Sequence, residues 1–231
     1  MHVDKSKMNY RKLNNLGNEL YEFWKRLHGL YLDSAVGFFL VHQKISKEQS
    51  FIREWLKDPE VTSENFQDTC QFSYDKIFSG SFCASSIHQV TQGEVKNRNK
   101  PGGANFVLLG QMCVVGFYDY WNEYLRKEYA IARGLLDPSE KNKKKIDKIL
   151  ADKVSDDFWG DMGYLRNSIV HNKGYVSSKI KSFKFIKWFK QGEEINLSPE
   201  MMRKIFLAVL QWRKKIIDES IPERKFIIPK S

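Results

Sequence analysis

The sequence predicts a mainly α-helical fold, an antiparallel helical bundle, on three observations. Apolar residues recur at three- and four-residue spacing along several long stretches, which is typical of amphipathic helices. Capping residues stand before several of these stretches, and a glycine ends one of them. Hydrophobic residues make up 42% of the 231 residues, enough for one substantial core, and short connections between helices favour antiparallel packing.

The N-terminal part of the chain is predicted to be helical at first and irregular afterwards. Over residues 13–45 the periodicity predicts either one long helix or a helical hairpin broken near Asp33–Ser34. A shorter helix is predicted next, with Ser46 as its cap and Pro59 beyond its end. Residues 60–103 have weak periodicity and many polar side chains, so they are predicted to be loop with short elements.

A second group of helices is predicted in the rest of the chain. A long helix should run from Asn105 to about Arg133, with Gly134 as its stop. Residues 137–140, Asp-Pro-Ser-Glu, have the pattern of a helix start, and that helix should continue through the lysine-rich residues 141–153.

The last predicted elements surround a basic segment. Asp156 and its acidic neighbour are placed to open another helix, and Ser198 before a proline is placed to open the final one. Between them, aromatic residues over 181–197 predict a small β-hairpin. The predicted organisation is an N-terminal helical extension, 1–103, followed by a helical core, 104–220, with one compact domain overall as the alternative.

Composition excludes several classes of protein. The longest apolar run, 35–41, is far shorter than the roughly 20 residues of a membrane-spanning helix, and the N-terminus lacks the apolar core of a secretory signal. Cys70, Cys83 and Cys113 lack the paired spacing of metal or redox sites, which fits a reducing cytoplasm. We therefore expect a cytoplasmic protein with no membrane segment, no metal and no cofactor.

One segment of the predicted core, residues 160–174, concentrates polar residues suited to chemistry. At about 100° per residue, one stripe of its helix is apolar and predicted to face the core: Phe158, Met162, Leu165 and Ile169. The opposite stripe is predicted to face outward: Gly160, Tyr164, Asn167 and His171. Arg166 lies between the two stripes and must reach round with its long side chain.

Residues 166–171, Arg-Asn-Ser-Ile-Val-His, resemble the Arg-polar-x-x-x-His motif of the HEPN superfamily, helical domains named for higher eukaryotes and prokaryotes nucleotide binding. The order of helices over 104–220 is similar too. Many HEPN proteins are metal-independent endoribonucleases of toxin–antitoxin, abortive-infection and CRISPR-associated systems. The resemblance implies catalytic roles for Arg166, Asn167 and His171, and a homodimer in which two motifs face a shared cleft.

The residue types suit cleavage of RNA by its own 2′-hydroxyl. That reaction needs a proton acceptor, a proton donor and cationic stabilisation of the crowded phosphorane. An imidazole titrates near neutral pH, so His171 suits general acid–base work, while the guanidinium of Arg166 binds phosphate oxygens in a bidentate manner. Asn167, one turn before His171, is placed to orient the imidazole or a phosphate oxygen.

The formal net charge of +10 is concentrated in the C-terminal half of the chain, and residues 173–190 contain several lysines and no acid. Aromatic residues interleave with these lysines, a pattern that suits phosphate contact and base stacking. The candidate RNA-binding residues are Lys173, Lys179, Lys181, Lys184 and Lys187. The equally weighted alternative is an amphipathic hairpin with solvated lysines and buried aromatic side chains.

Three alternatives to an active ribonuclease stay open. In a purely structural role, Asn167 and His171 would cap or bridge helices, and Arg166 would pair with an acid such as Asp161. A catalytically inactive HEPN module would bind RNA or a protein partner. A HEPN subunit neutralised by a nucleotidyltransferase-type antitoxin would need that partner, but Lys173 stands where adenylylated HEPN toxins carry a tyrosine.

Overall fold

A computed structural model describes residues 7–57 and 91–221, and these residues are mainly helical, as predicted. The helices are α1 (Tyr10–Leu56), α2 (Gln92–Asn99), α3 (Ala104–Tyr120), α4 (Arg126–Ala132), α5 (Lys143–Lys153), α6 (Asp157–His171) and α7 (Pro199–Glu219). One π-helical turn, Trp121–Leu125, joins α3 to α4, and a 3₁₀ turn, Ser178–Ser182, follows α6.

Helix α1 is unbroken, so of the two predicted arrangements the long helix is correct and the hairpin is wrong. It extends through the segment predicted as a separate helix, and Ser46 is therefore not a cap. The Ser46 hydroxyl donates to the carbonyl oxygen of His42 at 2.9 Å, a common way for serine to satisfy its hydroxyl inside a helix. Pro59 lies outside the described residues.

The predicted helix over 105–133 is confirmed, with one irregularity. The backbone N–H of Arg126 bonds to the carbonyl of Trp121, which closes a π turn between α3 and α4. Gly134 follows with a φ of +67°, the left-handed conformation that ends many helices. A side chain at this position would also collide with Lys7, because a Cβ would lie 2.6 Å from the Lys7 Cβ.

The predicted start of the next helix at Asp137 is wrong. Helix α5 begins at Lys143, and Asn142 caps it by accepting a hydrogen bond from the backbone N–H of Lys145 at 3.2 Å. The Asp137 carboxylate instead accepts from the backbone N–H and the hydroxyl of Ser139, at 2.8 and 2.7 Å. Such a local turn offers the backbone an alternative to the helix, which explains why the capping pattern fails.

The predicted β-hairpin over 181–197 does not form: the described residues contain no strand, and near this segment an isolated antiparallel bridge links Tyr175 to Glu194. The buried carboxylate of Asp161 takes the backbone N–H groups of three successive residues, Lys184, Phe185 and Ile186, at 2.6–3.1 Å. A hairpin needs backbone N–H groups for its own ladder, so this contact with α6 replaces strand pairing.

The chain divides into two compact units. The first, here called the motif unit, takes its described residues from Met1–Gly29, Gln111–Ile195 and Pro199–Ser231. Three tryptophans lie together in its core, with Trp121 stacked on Trp159 at 4.8 Å and edge-on to Trp212 at 4.5 Å. Gly163 lets α3 approach α6 closely, because a Cβ there would lie 2.8 Å from the ring of Tyr118.

The second unit comprises the described residues of Leu30–Gly110 and Asn196–Ser198. Its core is small, with Ile45 of α1 and Val95 of α2 fully buried against each other. Two polar contacts join the same helices: His42 Nδ1 lies 3.0 Å from the carbonyl oxygen of Lys96, and the Lys96 amine donates to Gln49 at 2.8 Å. Helix α2 is one of the short elements expected within 60–103.

The division at 103/104 stays a prediction, since the two compact units are assembled from discontinuous segments. Both α1 and α3 contribute residues to each unit. In the part of the chain that the structure describes, no helix is long and apolar enough to cross a membrane.

Candidate functional site

Helix α6 carries the site, and it begins where the sequence predicts. The Asp156 carboxylate accepts a hydrogen bond from the backbone N–H of Phe158 at 3.0 Å and so caps the N-terminus. At the other end the chain turns sharply, with Lys173 and Gly174 at φ values of 53° and 81°. The last residue of the helix, His171, is therefore left at an exposed end.

The two predicted faces of α6 are present. On the inner face Phe158, Met162 and Leu165 are buried, and Ile169 is partly buried. On the outer face Gly160, Asn167 and His171 are exposed, and Tyr164 is partly buried against Phe183. The polar motif residues therefore point away from the core of their own unit.

The structure brings the three predicted catalytic residues together. Nη1 of Arg166 lies 3.4 Å from Oδ1 of Asn167 and 3.3 Å from Nε2 of His171. Since a guanidinium has only donors, Nε2 of His171 must be the acceptor in this contact. The accepting lone pair of Nε2 belongs to the tautomer with its proton on Nδ1.

Asp119 of α3 is a fourth member of this cluster, and sequence reasoning missed it. Its Oδ1 accepts from Nε of Arg166 at 3.1 Å, with the Arg166 side chain 26% exposed and that of Asp119 41% exposed. The pair is open enough to water that it contributes little to stability, but it fixes the direction of the guanidinium.

The structural alternative named the wrong acid for Arg166. Asp161, only 2% exposed, faces the loop over 184–186 and accepts its backbone N–H groups. Asp161 therefore anchors the basic segment to α6, while Asp119 holds Arg166. Asn167 and His171 make no capping contact with another helix among the described residues; both bond to Arg166.

The five candidate RNA-binding lysines are all exposed, and none of them bonds to the motif residues in the described part of the chain. One makes an ion pair, from Lys184 Nζ to Asp157 Oδ1 at 2.8 Å, and this hydrogen bond raises the pKa of Lys184. The aromatic residues among them are divided: Phe183 is buried, whereas Tyr175 and Phe185 are about half exposed. The buried Phe183 thus fits the alternative of solvated lysines with buried aromatic side chains, whereas Tyr175 and Phe185 present their rings to solvent.

A small cleft of about 120 Å³ lies beside the N-terminal half of α6. It is lined by Tyr118, Arg126 and Gly160, among others, and a Cβ at Gly160 would meet nothing within 4 Å. Arg126 donates to the carbonyl oxygens of Val154 and Leu150 at 3.0 and 2.9 Å, and burial lowers its pKa. Burial also raises the pKa of Tyr118.

Neither the role of Asp119 nor the position of the cleft could be predicted from the residues nearby in the sequence. Asp119 stands 47 positions before Arg166, within an aromatic run of α3, and its role depends on how α3 packs on α6. Among the residues that the structure describes, no three His, Cys, Asp or Glu side chains lie close enough together to hold a metal ion.

Comparison with family models, with curated proteins and with solved structures gives no match to this chain.

Proposed function

We propose that this chain is a metal-independent endoribonuclease of the HEPN type that cleaves RNA and serves as a prokaryotic toxin or phage-defence effector. The observation that carries the proposal is the cluster of Arg166, Asn167 and His171 on the exposed face of α6, with the Arg166 guanidinium 3.3 Å from the imidazole. The resemblance of the motif to HEPN ribonucleases supplies the reaction class, and the positions of the side chains are compatible with it.

In the proposed reaction, Nε2 of His171 accepts the proton of a ribose 2′-hydroxyl. The 2′-oxygen attacks the adjacent phosphorus, and the bond from phosphorus to the 5′-oxygen breaks. The products are a 2′,3′-cyclic phosphate and a 5′-hydroxyl. The 5′-oxygen takes its proton from a second acid at the reaction site. The resemblance, in which two motifs share one cleft, suggests the partner copy's imidazole for that second role.

Arg166 supplies the cationic stabilisation in this proposal. Asp119 holds Nε, while Nη2 has no partner among the described residues. The guanidinium edge therefore has donors left for the non-bridging oxygens of a phosphate, where charge builds up in the transition state. Asn167 accepts from Nη1 of Arg166 and so holds that nitrogen next to the imidazole of His171.

The test is an RNA-cleavage assay on purified protein in the presence of EDTA. Wild-type protein should cleave single-stranded or transfer RNA and leave 2′,3′-cyclic phosphate ends. His171→Ala should lose activity at least about a hundredfold, as expected for removal of a general acid–base group. Equal cleavage by the wild type and His171→Ala would reject the proposal.

A second candidate function is an inactive HEPN module that binds RNA or a protein partner. It is favoured by the Asp119 carboxylate, which offsets the charge of Arg166, and by the exposed lysines and rings that follow α6. This candidate expects salt-sensitive RNA binding or a co-purifying partner, and no cleavage under any condition.

Regulation by an antitoxin is a further part of the proposal. Expression of the wild type should arrest growth of a bacterial host, while Arg166→Ala should not. If arrest occurs only when a neighbouring partner gene is absent, the partner is the inhibitor. Control by adenylylation of a tyrosine two positions after the histidine is not expected, because that position is Lys173.

A further inference from the structure

The cleft beside the N-terminal half of α6 contains a guanidinium that forms no ion pair in the described part of the chain. Arg126, Tyr118 and Ser155 are among the residues that line its volume of about 120 Å³. Arg126 is partly buried, and its Nε and Nη2 donate to two carbonyl oxygens at the C-terminal end of α5, at 3.0 and 2.9 Å. Its Nη1 has no hydrogen-bond partner among the described residues. The carbonyl oxygens therefore fix a cation that keeps one donor free.

Two hydroxyl groups in the lining add to this donor. Those of Tyr118 and Ser155 also lack a hydrogen-bond partner among the residues that the structure describes. The lining also includes the acidic Asp156, whose carboxylate already accepts the backbone N–H of Phe158 at 3.0 Å and lies 3.8 Å from the amine of Lys215. Because the charge of that acid is offset and three donors stay free, the lining suits a negatively charged group that accepts hydrogen bonds.

Gly160 keeps the cleft open, although the helix does not need a glycine there. It lies inside α6 without a positive φ, and a Cβ at this position would meet nothing within 4 Å. Gly163 differs, because a Cβ there would lie 2.8 Å from the ring of Tyr118. Glycine in a helix interior is less stable than alanine, so stability alone favours a side chain at position 160. A long side chain there would lean toward the preceding turn, which holds Asp156, and would cover the cleft.

The size and position of the cleft indicate which group it binds. Its 120 Å³ is well below the roughly 300–1,000 Å³ of sites that enclose a drug-sized ligand, so it takes a small group. Gly160 stands six positions before Arg166, which is about 9 Å along the helix axis. Burial raises the pKa of Tyr118, and the charges of Arg126 and Arg166 both act against that shift, so the phenol lies near both guanidinium groups. An anion in the cleft would therefore lie close to the motif.

We propose that this cleft binds a phosphate group of the RNA backbone, beside the phosphate that Arg166 contacts in the proposed reaction. Arg126 supplies the charge, and the hydroxyls of Tyr118 and Ser155 donate to the non-bridging oxygens. A second fixed contact on the strand sets the scissile bond in place against His171. The inference rests on the proposed function for its ligand, RNA, but the binding of a phosphate group needs no cleavage.

Binding of a short fluorescent 2′-O-methyl RNA tests the proposal, because this RNA lacks the free 2′-hydroxyl that the proposed cleavage requires. Fluorescence anisotropy at several salt concentrations gives the affinity and its salt dependence. Arg126→Gln should weaken binding about tenfold, as expected for loss of a charged hydrogen bond. It should also lower the slope of log affinity against log salt concentration by about 0.7, the value for one phosphate contact on a single strand.

Gly160→Leu is the second variant, since Arg126 also holds the end of α5 and Arg126→Gln needs a partner that leaves this contact intact. Leucine has the higher helix propensity and meets open space, so circular dichroism should show the variant folded. By covering the cleft it should weaken RNA binding as much as Arg126→Gln does. The matched control is Gly29→Leu, inside α1 and outside the lining, where a Cβ also meets nothing within 4 Å. It should bind RNA like the wild type.

Wild-type affinity and salt slope in folded Gly160→Leu and Arg126→Gln would overturn the inference, and so would a wild type that binds no RNA. Calorimetry with inorganic phosphate separates the two sources of the phosphate group. If the variants lose phosphate binding but hold RNA like the wild type, the cleft takes free phosphate and the assignment to RNA is wrong. Weakened RNA binding by the variants of a protein that cleaves nothing defeats only the proposed ribonuclease activity.

Discussion

At the scale of single residues, the site depends on how Arg166 is held. Its three nitrogens are not equivalent: Nε bonds to Asp119, Nη1 lies near Asn167 and His171, and Nη2 has no partner among the described residues. The carboxylate thus directs the guanidinium without occupying the donors that a phosphate would use. Asp119 is a positioning residue in this arrangement.

Replacing Asp119 tests that role. Asp119→Ala removes a charge-assisted hydrogen bond, so under the proposed ribonuclease function cleavage should slow by about ten- to a hundredfold through kcat, with little change in KM. Asp119→Asn keeps an acceptor for Nε and should retain most of the rate. Single-turnover kinetics on a fluorescent RNA measure both. If the alanine variant binds RNA more tightly and cleaves it as fast as the wild type, Asp119 only offsets charge.

At the scale of elements, the basic segment is organised by a buried carboxylate and not by strand pairing. Asp161 accepts backbone N–H groups from three successive residues of the segment over 184–186. Several donors directed at one carboxylate fix the loop against α6. Lys184 lies in this anchored loop, and Lys181 and Lys187 lie within three positions of it.

Asp161→Asn should therefore be costly. The amide loses the charge and directs its own NH₂ group at backbone donors, so the free energy of unfolding should fall by about 2–3 kcal/mol. Urea denaturation followed by tryptophan fluorescence measures the change. The control is Asp157→Asn. The Asp157 side chain is 61% exposed, so loss of its ion pair with Lys184 should lower the free energy of unfolding by less than about 1 kcal/mol. Equal effects of the two substitutions would contradict the anchoring role.

At the scale of the whole molecule, packing in the motif unit raises the pKa of two groups on α3, Cys113 in the core and the partly buried Tyr120. Burial raises the pKa of the Cys113 thiol to about 12, and mainly burial raises the pKa of Tyr120 to about 12. Cys113 is 1% exposed and lies inside α3. Ionisation of the Cys113 thiol is therefore coupled to opening of the core.

Stability should fall in alkali for this reason. The folded pKa of Cys113, about 12, lies above an unfolded value of about 8.5, so its contribution is complete below about pH 8.5 and is lost as the pH rises toward 12. The free energy of unfolding should fall by about 1.4 kcal/mol per pH unit for this group across that range. Urea denaturation at a series of pH values measures the slope.

Cys113→Ala provides the comparison, because it lacks the thiol. It should be less stable at neutral pH through the cavity it leaves, yet its stability should change less between about pH 8.5 and pH 10, before tyrosines titrate. Parallel pH profiles for the two proteins would show that Cys113 ionises without opening of the core.

Much of the helical framework follows from the sequence by itself. Apolar spacing predicts α1, α3, α6 and α7, and the capping of α6 by Asp156 is a contact between residues two positions apart. The same local rules fail at Asp137, where a side-chain turn competes with the helix, and over 181–197, where a residue of another element takes the backbone donors.

The helical class, the two faces of α6 and the clustering of Arg166, Asn167 and His171 are predictable from the sequence, because the three residues lie within five positions of one another on one helix. Only the tertiary structure decided that Asp119 holds Arg166 and that Asp161 anchors the basic segment. Those contacts join residues far apart in the chain, so they depend on how the helices pack. The spacing of residues along one helix does not predict which residues of another helix will contact it.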